Sequence, residues 1–250
     1  MTVMTTTHGS IFDEAPRNPL AGGFYTVGEA ARLIEGGNAN RIRGWFRGFP
    51  KRNANPLLLS DYAATGERQE LSFLDLIETR FVEHFRKHEV KPRTLRVAQE
   101  ALRRQLGVRH PFATGKIVFE ADKADIFIHE MRHAAESERD IALLSLTTDN
   151  FVLREVIRQN LVPGLEFDPE KKYAREWKPR PDLFPTISLD PRVSYGQPSL
   201  PDGQATGLIH AAWKAQKGDM DAVAYWTGMR VLDIQTAVEF EKFLDNGRKH

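Results

Sequence analysis

Between Tyr25 and Arg52 the apolar residues recur at helical spacing twice over, and Gly36-Gly37 separates the two runs. Val27, Ala30, Ala31 and Ile34 stand at i, i+3, i+4 and i+7 behind Thr26, an acceptable N-cap; Ile42, Trp45, Phe46 and Phe49 repeat the spacing. The glycines end the first helix, and the small Ala30 and Ala31 allow the second to pack closely. Asn38, Asn40, Arg41, Arg43 and Arg47 are then left on the outward face. Two short helices joined by a tight glycine turn, the second bearing Arg and Asn, is how a helix-turn-helix offers a helix to the major groove.

Arginine can pair bidentately with guanine and asparagine with adenine. Asn40, Arg41 and Arg43, behind Asn38 at the head of the helix, are therefore the base-edge candidates, and Arg47, Lys51 and Arg52 the phosphate anchors. The plain alternative is a helical hairpin with a solvated basic face. Against it, no acidic residue occurs between Asn38 and Arg52, where five basic ones do.

The net charge of +1 hides an uneven distribution. Asn38 to His110 holds 15 Lys+Arg against 8 Asp+Glu, a surplus of seven; Glu120 to Glu170 holds 5 against 12, a deficit of seven. One part of the chain suits a polyanion and the next repels it. With no cysteine there is no disulfide frame, thiolate metal site or cysteine nucleophile. No apolar run approaches the roughly 20 residues of a membrane span. Residues 1–23 mix Thr, Pro, Gly and charge without the pattern of a secretory signal, and are expected to form a disordered tail on a cytoplasmic protein.

After the helix pair, Leu57, Leu58 and Leu59 follow Pro56 and suggest a small strand or wing. Two longer helices come next, one with Leu74, Ile77, Phe81 and Phe85 on one side, the other with Leu95, Ala98, Leu102 and Leu106, started by Pro92 and ended by Gly107. His84 and His88, four apart, read as a solvated face, since no third ligand is near.

Residues 117–130 change to a period of two: Ile117, Phe119, Ile126 and Ile128 flank the turn ADKAD and predict a β-hairpin. Directly after it, His129-Glu130-Met131-Arg132-His133 matches the zinc-peptidase pattern H-E-x-x-H, which needs both histidines on one helix turn and a third ligand. A strand running to Glu130 denies the first requirement. Glu155, on the helix predicted for DNFVLREVIRQN and 22 residues past His133, is the nearest third ligand, so a zinc-dependent hydrolase stays as a distant alternative.

LEFD and KKYAREWKP predict a second strand pair around the turn DPEK. The Pro-rich KPRPDLFPT marks a domain boundary. A short strand at Ile187 and Leu189 then precedes a Gly- and Pro-punctuated loop and three helices: one around Leu208 to Lys217, one capped by Asp219 that buries Val223 and Trp226, and one from Val231 to Leu244 that buries Ile234, Ala237, Val238 and Phe240. Trp45, Phe46, Trp213 and Trp226 are all expected in the core.

The C-terminal DPRVSYGQP, AWKA-x₂-GDMDAVAYWTG and TAVEFE resemble a small domain of VapB-type antitoxins, and YTVGEAARLIEGG-x₇-WFRGF resembles a MerR-like winged helix-turn-helix. LSFLDLIETRFV is similar to the segment that joins the two. This resemblance implies a transcriptional autoregulator whose N-terminal domain binds operator DNA as a homodimer and whose C-terminal module mediates dimerisation, capture of a PIN-like RNase toxin, or both, with Arg192, Tyr195 and Gln197 as partner contacts. DGQATG departs from the Gly-Thr-Arg-Ile-Pro-Thr-like run usual at its place, and GGNAN, where Ser or Thr usually caps, predicts an irregular start to the second helix. The expectation is a mainly α chain with small β elements: a winged helix-turn-helix unit over 24–112, a β-hairpin and helix region over 113–180, and a three-helix module over 181–250. No metal, cofactor or enzymatic activity is expected. A protein-binding adaptor without base contact is the alternative from another class.

Overall fold

In the computed structural model, residues 22–50, 53–87, 90–115 and 163–247 are described. The predicted hairpin over 117–130, the His129–His133 motif, the helix carrying Glu155, and Lys51, Arg52 and His88 lie outside them. The described parts are mainly α-helical with two small antiparallel sheets.

Helix α1 (Val27–Leu33) starts in a full capping box: the Thr26 side chain accepts from the Glu29 N–H while the Glu29 carboxylate takes the Thr26 N–H. Val27, Ala30, Leu33 and Ile34 bury its inner face, so Leu33 joins the predicted set and Ala31 is only partly covered. The turn to α2 (Ala39–Arg47) needs both glycines. Gly36 has φ +74, and a Cβ on Gly37 would sit 2.6 Å from the Ala31 carbonyl. The start of α2 is regular, because the Asn38 side chain accepts from the Arg41 N–H as a normal N-cap.

Two details of the sequence reading are corrected next to α2. The helix ends at Gly48, where φ is +79, so Phe49 leaves the predicted stripe and turns its ring back against Gly44. Leu57 to Leu59 form no strand: the Leu57 and Leu58 N–H groups both bond the Trp45 carbonyl, and those two side chains enter the core while Leu59 stays exposed. The strand that closes this unit is β2 (Glu70–Leu71), paired antiparallel with β1 (Tyr25–Thr26) in the register Tyr25 to Leu71.

Helices α3 (Phe73–Lys87) and α4 (Pro92–Leu106) follow as predicted, with Pro92 in the first turn and Gly107 in the left-handed conformation at the end. Helix α3 is buried on most sides, through Leu76, Ile77, Phe81, Val82 and Phe85. His84 is half buried beside the Phe85 ring rather than part of a solvated face. Strands β3 (Leu165–Phe167) and β4 (Ala174–Trp177) form the second predicted pair around an Asp168 turn.

The C-terminal helices are α5 (Thr206–Ala215), α6 (Met220–Thr227), capped by Asp219, and α7 (Val231–Asn246). Ile234, Ala237, Val238 and Phe240 are buried as predicted, but Trp226 is 76% exposed and Trp213 only partly covered. These helices share one hydrophobic cluster with α1–α4. The Pro-rich connector is packed into it: Pro179 is buried, and Arg180 donates to the Leu33 carbonyl and lies over the Phe243 ring.

Candidate nucleic-acid interface

Ile42, Trp45 and Phe46 anchor the inner face of α2, which turns Asn40, Arg43 and Arg47 to the other side. Asn40 is exposed and accepts from Arg43 Nη1 at 3.0 Å. Arg43 is half buried, with its Nε buried and unbonded. Arg47 is exposed and donates through Nη2 to the Gly66 carbonyl, tying α2 to a tight turn in which Thr65 and Arg68 pair. Residues 63–68 are exposed beside the helix.

The remaining candidates are placed differently. Asn38 spends its side chain as the cap. Arg41 turns inward: its Nε and Nη2 lie 3.2 and 2.8 Å from the two oxygens of Glu83, and Nη2 also reaches the Gly36 carbonyl. Glu83 is 1% exposed and takes Arg86 as a second cation. Arg41 therefore fixes α2 against α3.

Between the 60–72 loop, α3 and the end of α4 lies a buried ionic cluster that the sequence reading missed. The imidazole of His110 stands between carboxylates, with Nε2 2.9 Å from Asp61 and Nδ1 3.3 Å from Glu78 and 3.8 Å from Asp75. Arg109 adds a positive charge, its Nε 3.0 Å from Asp61. Burial alone would push His110 down, but the Asp61 and Glu78 carboxylates on its two nitrogens raise it to about 10. Burial raises Asp75 to about 7 against the opposing pull of His110.

Asp61, Asp75 and His110 each bring a ligand atom within 4.8 Å of the others, the spacing of a metal site. The imidazole presents one nitrogen to Asp61 and the other to Asp75 and Glu78, and its raised pKa keeps both protonated. Imidazolium is itself the cation of this cluster.

The predicted partner loop is occupied within the chain. Tyr195, at φ +56, accepts through its carbonyl from the Phe24 N–H; Gln197 donates to the Phe24 carbonyl, and Tyr25 Oη donates to the Gly196 carbonyl at 2.6 Å. Arg192 is paired with Asp190 while remaining exposed. Arg32 of α1 bonds Glu241 at 2.8 Å and Asp245 at 3.0 Å on α7, and Glu241 accepts from Thr206. The loop thus clamps the three-helix module to β1 and α1.

No protein-family model and no curated protein matches the chain. Among solved structures it is similar to the X-ray crystal structure of Rv2018 from Mycobacterium tuberculosis, with a TM-score of 0.61 and 20% identity over 86% of this chain and 96% of that one. At that identity the likeness is one of fold. No helix among the described residues is long and apolar enough to cross a membrane.

Proposed function

We propose that this chain is a sequence-specific DNA-binding regulator of antitoxin type, acting in the cytoplasm as a homodimer on the operator of its own operon and without catalytic chemistry. The observation that carries this reading is α2: a short, regularly capped helix, free of acidic residues, buried on one face and presenting Asn40, Arg43 and Arg47 on the other. Its packing supplies the rigidity that base reading requires.

The base-edge set narrows to Asn40 and Arg43, which already bond each other and so hold a planar donor edge in one orientation. Arg47, with the exposed 63–68 turn, suits the backbone. A protein partner such as a PIN-like toxin would meet the C-terminal module at Tyr225 and Trp226, which are 82% and 76% exposed. That choice replaces the loop of Arg192, Tyr195 and Gln197, whose main chain and amide are engaged with Phe24.

The test is fluorescence anisotropy with DNA from the chain's own upstream region and with random DNA, at two salt concentrations, beside an Arg43→Ala, Arg47→Ala double variant. The reading expects preference for the upstream DNA, a steep loss with salt, and loss of preference in the variant. Equal binding of both DNAs by the unaltered protein would overturn it and leave the adaptor reading.

A further inference from the structure

The turn between α1 and α2, the end of α3, Arg180 and the end of α7 surround an open cleft of about 730 Å³. Among the described residues four arginines line it, Arg32, Arg41, Arg86 and Arg180, against one acid, Glu35. Their pairing shows where its charge is uncompensated. Arg41 and Arg86 share the single carboxylate of Glu83, so together they keep one positive charge in excess. Lys87 and Glu35 pair at 3.0 Å and cancel. Arg180 is partly buried, bonds only the carbonyls of Leu33 and Pro179, and makes no ion pair among the described residues.

The opposite wall is different, because Arg32 is held by both Glu241 and Asp245 and the surplus there is acidic. A bound anion therefore belongs on the Arg180 side. On that side Asn38 and Ala39 also open α2 onto the cleft, and an α-helix carries partial positive charge and unpaired N–H groups at its start. The arginines leave a positive surplus of two at the mouth of that helix. A phosphomonoester carries about −1.5 to −2 at neutral pH.

We propose that this cleft binds the phosphate of a small phosphomonoester, held by Arg41, Arg86, Arg180 and the first turn of α2, with an apolar or aromatic portion laid on Phe243. Arg180 sits 5.5 Å over the Phe243 ring, so guanidinium and ring meet at the place where the charged and apolar parts of such a ligand join. The guanidinium fork supplies the planar, bidentate recognition that phosphate oxygens favour. This inference goes beyond regulation of DNA and does not depend on it. A phosphate of a DNA backbone offers the same chemistry, and the experiment separates the two sources.

The full chain is titrated calorimetrically at fixed ionic strength with phenyl phosphate, and separately with phenol, inorganic phosphate and a short random duplex. The proposal expects saturable binding of phenyl phosphate, weaker binding of inorganic phosphate and none of phenol. It expects a loss of about tenfold or more in Arg180→Lys, which keeps the charge but removes the fork, and in Arg86→Gln. Both variants are first matched to the parent by circular dichroism; should one fail to fold, the other carries the test. Absence of saturable phenyl phosphate binding up to about 10 mM overturns the proposal, as does equal binding by the parent and both variants. Weakened binding of the duplex alone in these variants also overturns it, assigning the cleft to the DNA backbone.

Discussion

Arg41 Nη2 lies 2.8 Å from an oxygen of Glu83, a carboxylate that is 1% exposed although it belongs to a helix rich in charge. The contact places the most promising arginine of α2 in a structural role. Removing one partner of a buried, hydrogen-bonded ion pair leaves the other charge uncompensated, which costs more than the pair itself is worth. Here Arg86 remains on Glu83, and the Arg41 side chain is 29% exposed, so the loss is moderated by solvent. Arg41→Ala is expected to destabilise the chain by about 1–3 kcal/mol in denaturant titration. In the double variant Arg41→Ala, Glu83→Gln the loss should be smaller than the sum of the two single losses, because the Arg41–Glu83 contact is removed only once. Additive effects would show that the two residues do not act as a pair.

The His110 cluster makes stability depend on pH in a stated direction. In the folded chain Asp75 moves from its ordinary 3.8 up to about 7 and His110 from 6.5 up to about 10. Both folded values lie above the unfolded ones, so both groups bind protons more tightly when folded. Their stabilisation is complete below the unfolded value and is lost as pH rises, from about 4 to 7 for Asp75 and from about 6.5 to 10 for His110. Asp61 works in the opposite sense. Burial pushes its carboxyl up, but the bonds from His110 and Ser72 and the Arg109 charge hold it below its usual value, so its contribution is lost at the acid end. Thermal unfolding should give the highest Tm at mildly acidic pH and a fall toward pH 8. Asp75→Asn keeps an acceptor for the Ser72 and Asp61 N–H groups and removes the titration, so its profile should be flatter between pH 5 and 8. An unchanged slope would place the dependence elsewhere.

What was legible in the sequence was local. The caps of Thr26, Pro92, Gly107 and Asp219 and the spacing of Ile42, Trp45 and Phe46 each act within a turn or two, and the structure has them where the pattern puts them. Phe49 was misplaced because Gly48 leaves the helix one residue earlier. The leucines after Pro56 form no strand because the Leu57 and Leu58 N–H groups meet the Trp45 carbonyl, twelve and thirteen residues away. The ionic cluster joins Asp61 and His110 across 49 positions, and carboxylates at Asp75 and Glu78 look like the solvated side of a helix until Arg109 and His110 are brought over them. The inward turn of Arg41 was hidden for the same reason: Glu83 lies 42 residues away.

Trp226, which its helical spacing assigns to the core, lies on the surface instead. Its ring meets Tyr225 edge-on at 5.5 Å between centroids, and both side chains face solvent. A core tryptophan replaced by a small polar residue would cost about 3–5 kcal/mol, whereas an exposed one changes stability by roughly 0.5 kcal/mol or less. Trp226→Ser should therefore unfold within a degree or two of the parent Tm. On the proposed reading it should also weaken capture of a PIN-like toxin, measured by pull-down. A large loss of stability would mean that the side chain is covered, and the partner face would have to be sought elsewhere.

The clamp between β1 and the 194–197 loop rests on one buried hydroxyl and one glycine. Tyr25, 0% exposed, donates to the Gly196 carbonyl at 2.6 Å, and Gly196 has φ +83. Tyr25→Phe removes the donor, leaves a buried carbonyl acceptor unsatisfied, and should cost about 1–3 kcal/mol. Gly196→Ala meets two obstacles together. A left-handed backbone disfavours any side chain, and the new Cβ would lie 2.3 Å from Tyr25 Oη, too close for either group to stay. The glycine variant should therefore lose more stability than Tyr25→Phe. Its loss should shrink in the double variant, where the closest clash is gone and backbone strain remains with the tight 3.1 Å approach to the ring Cζ. Limited proteolysis locates the damage: cleavage near Phe24 or within 190–204 should appear before cleavage inside α5–α7. Uniform cleavage of the whole chain would instead mean that the clamp and the three-helix module unfold as one unit.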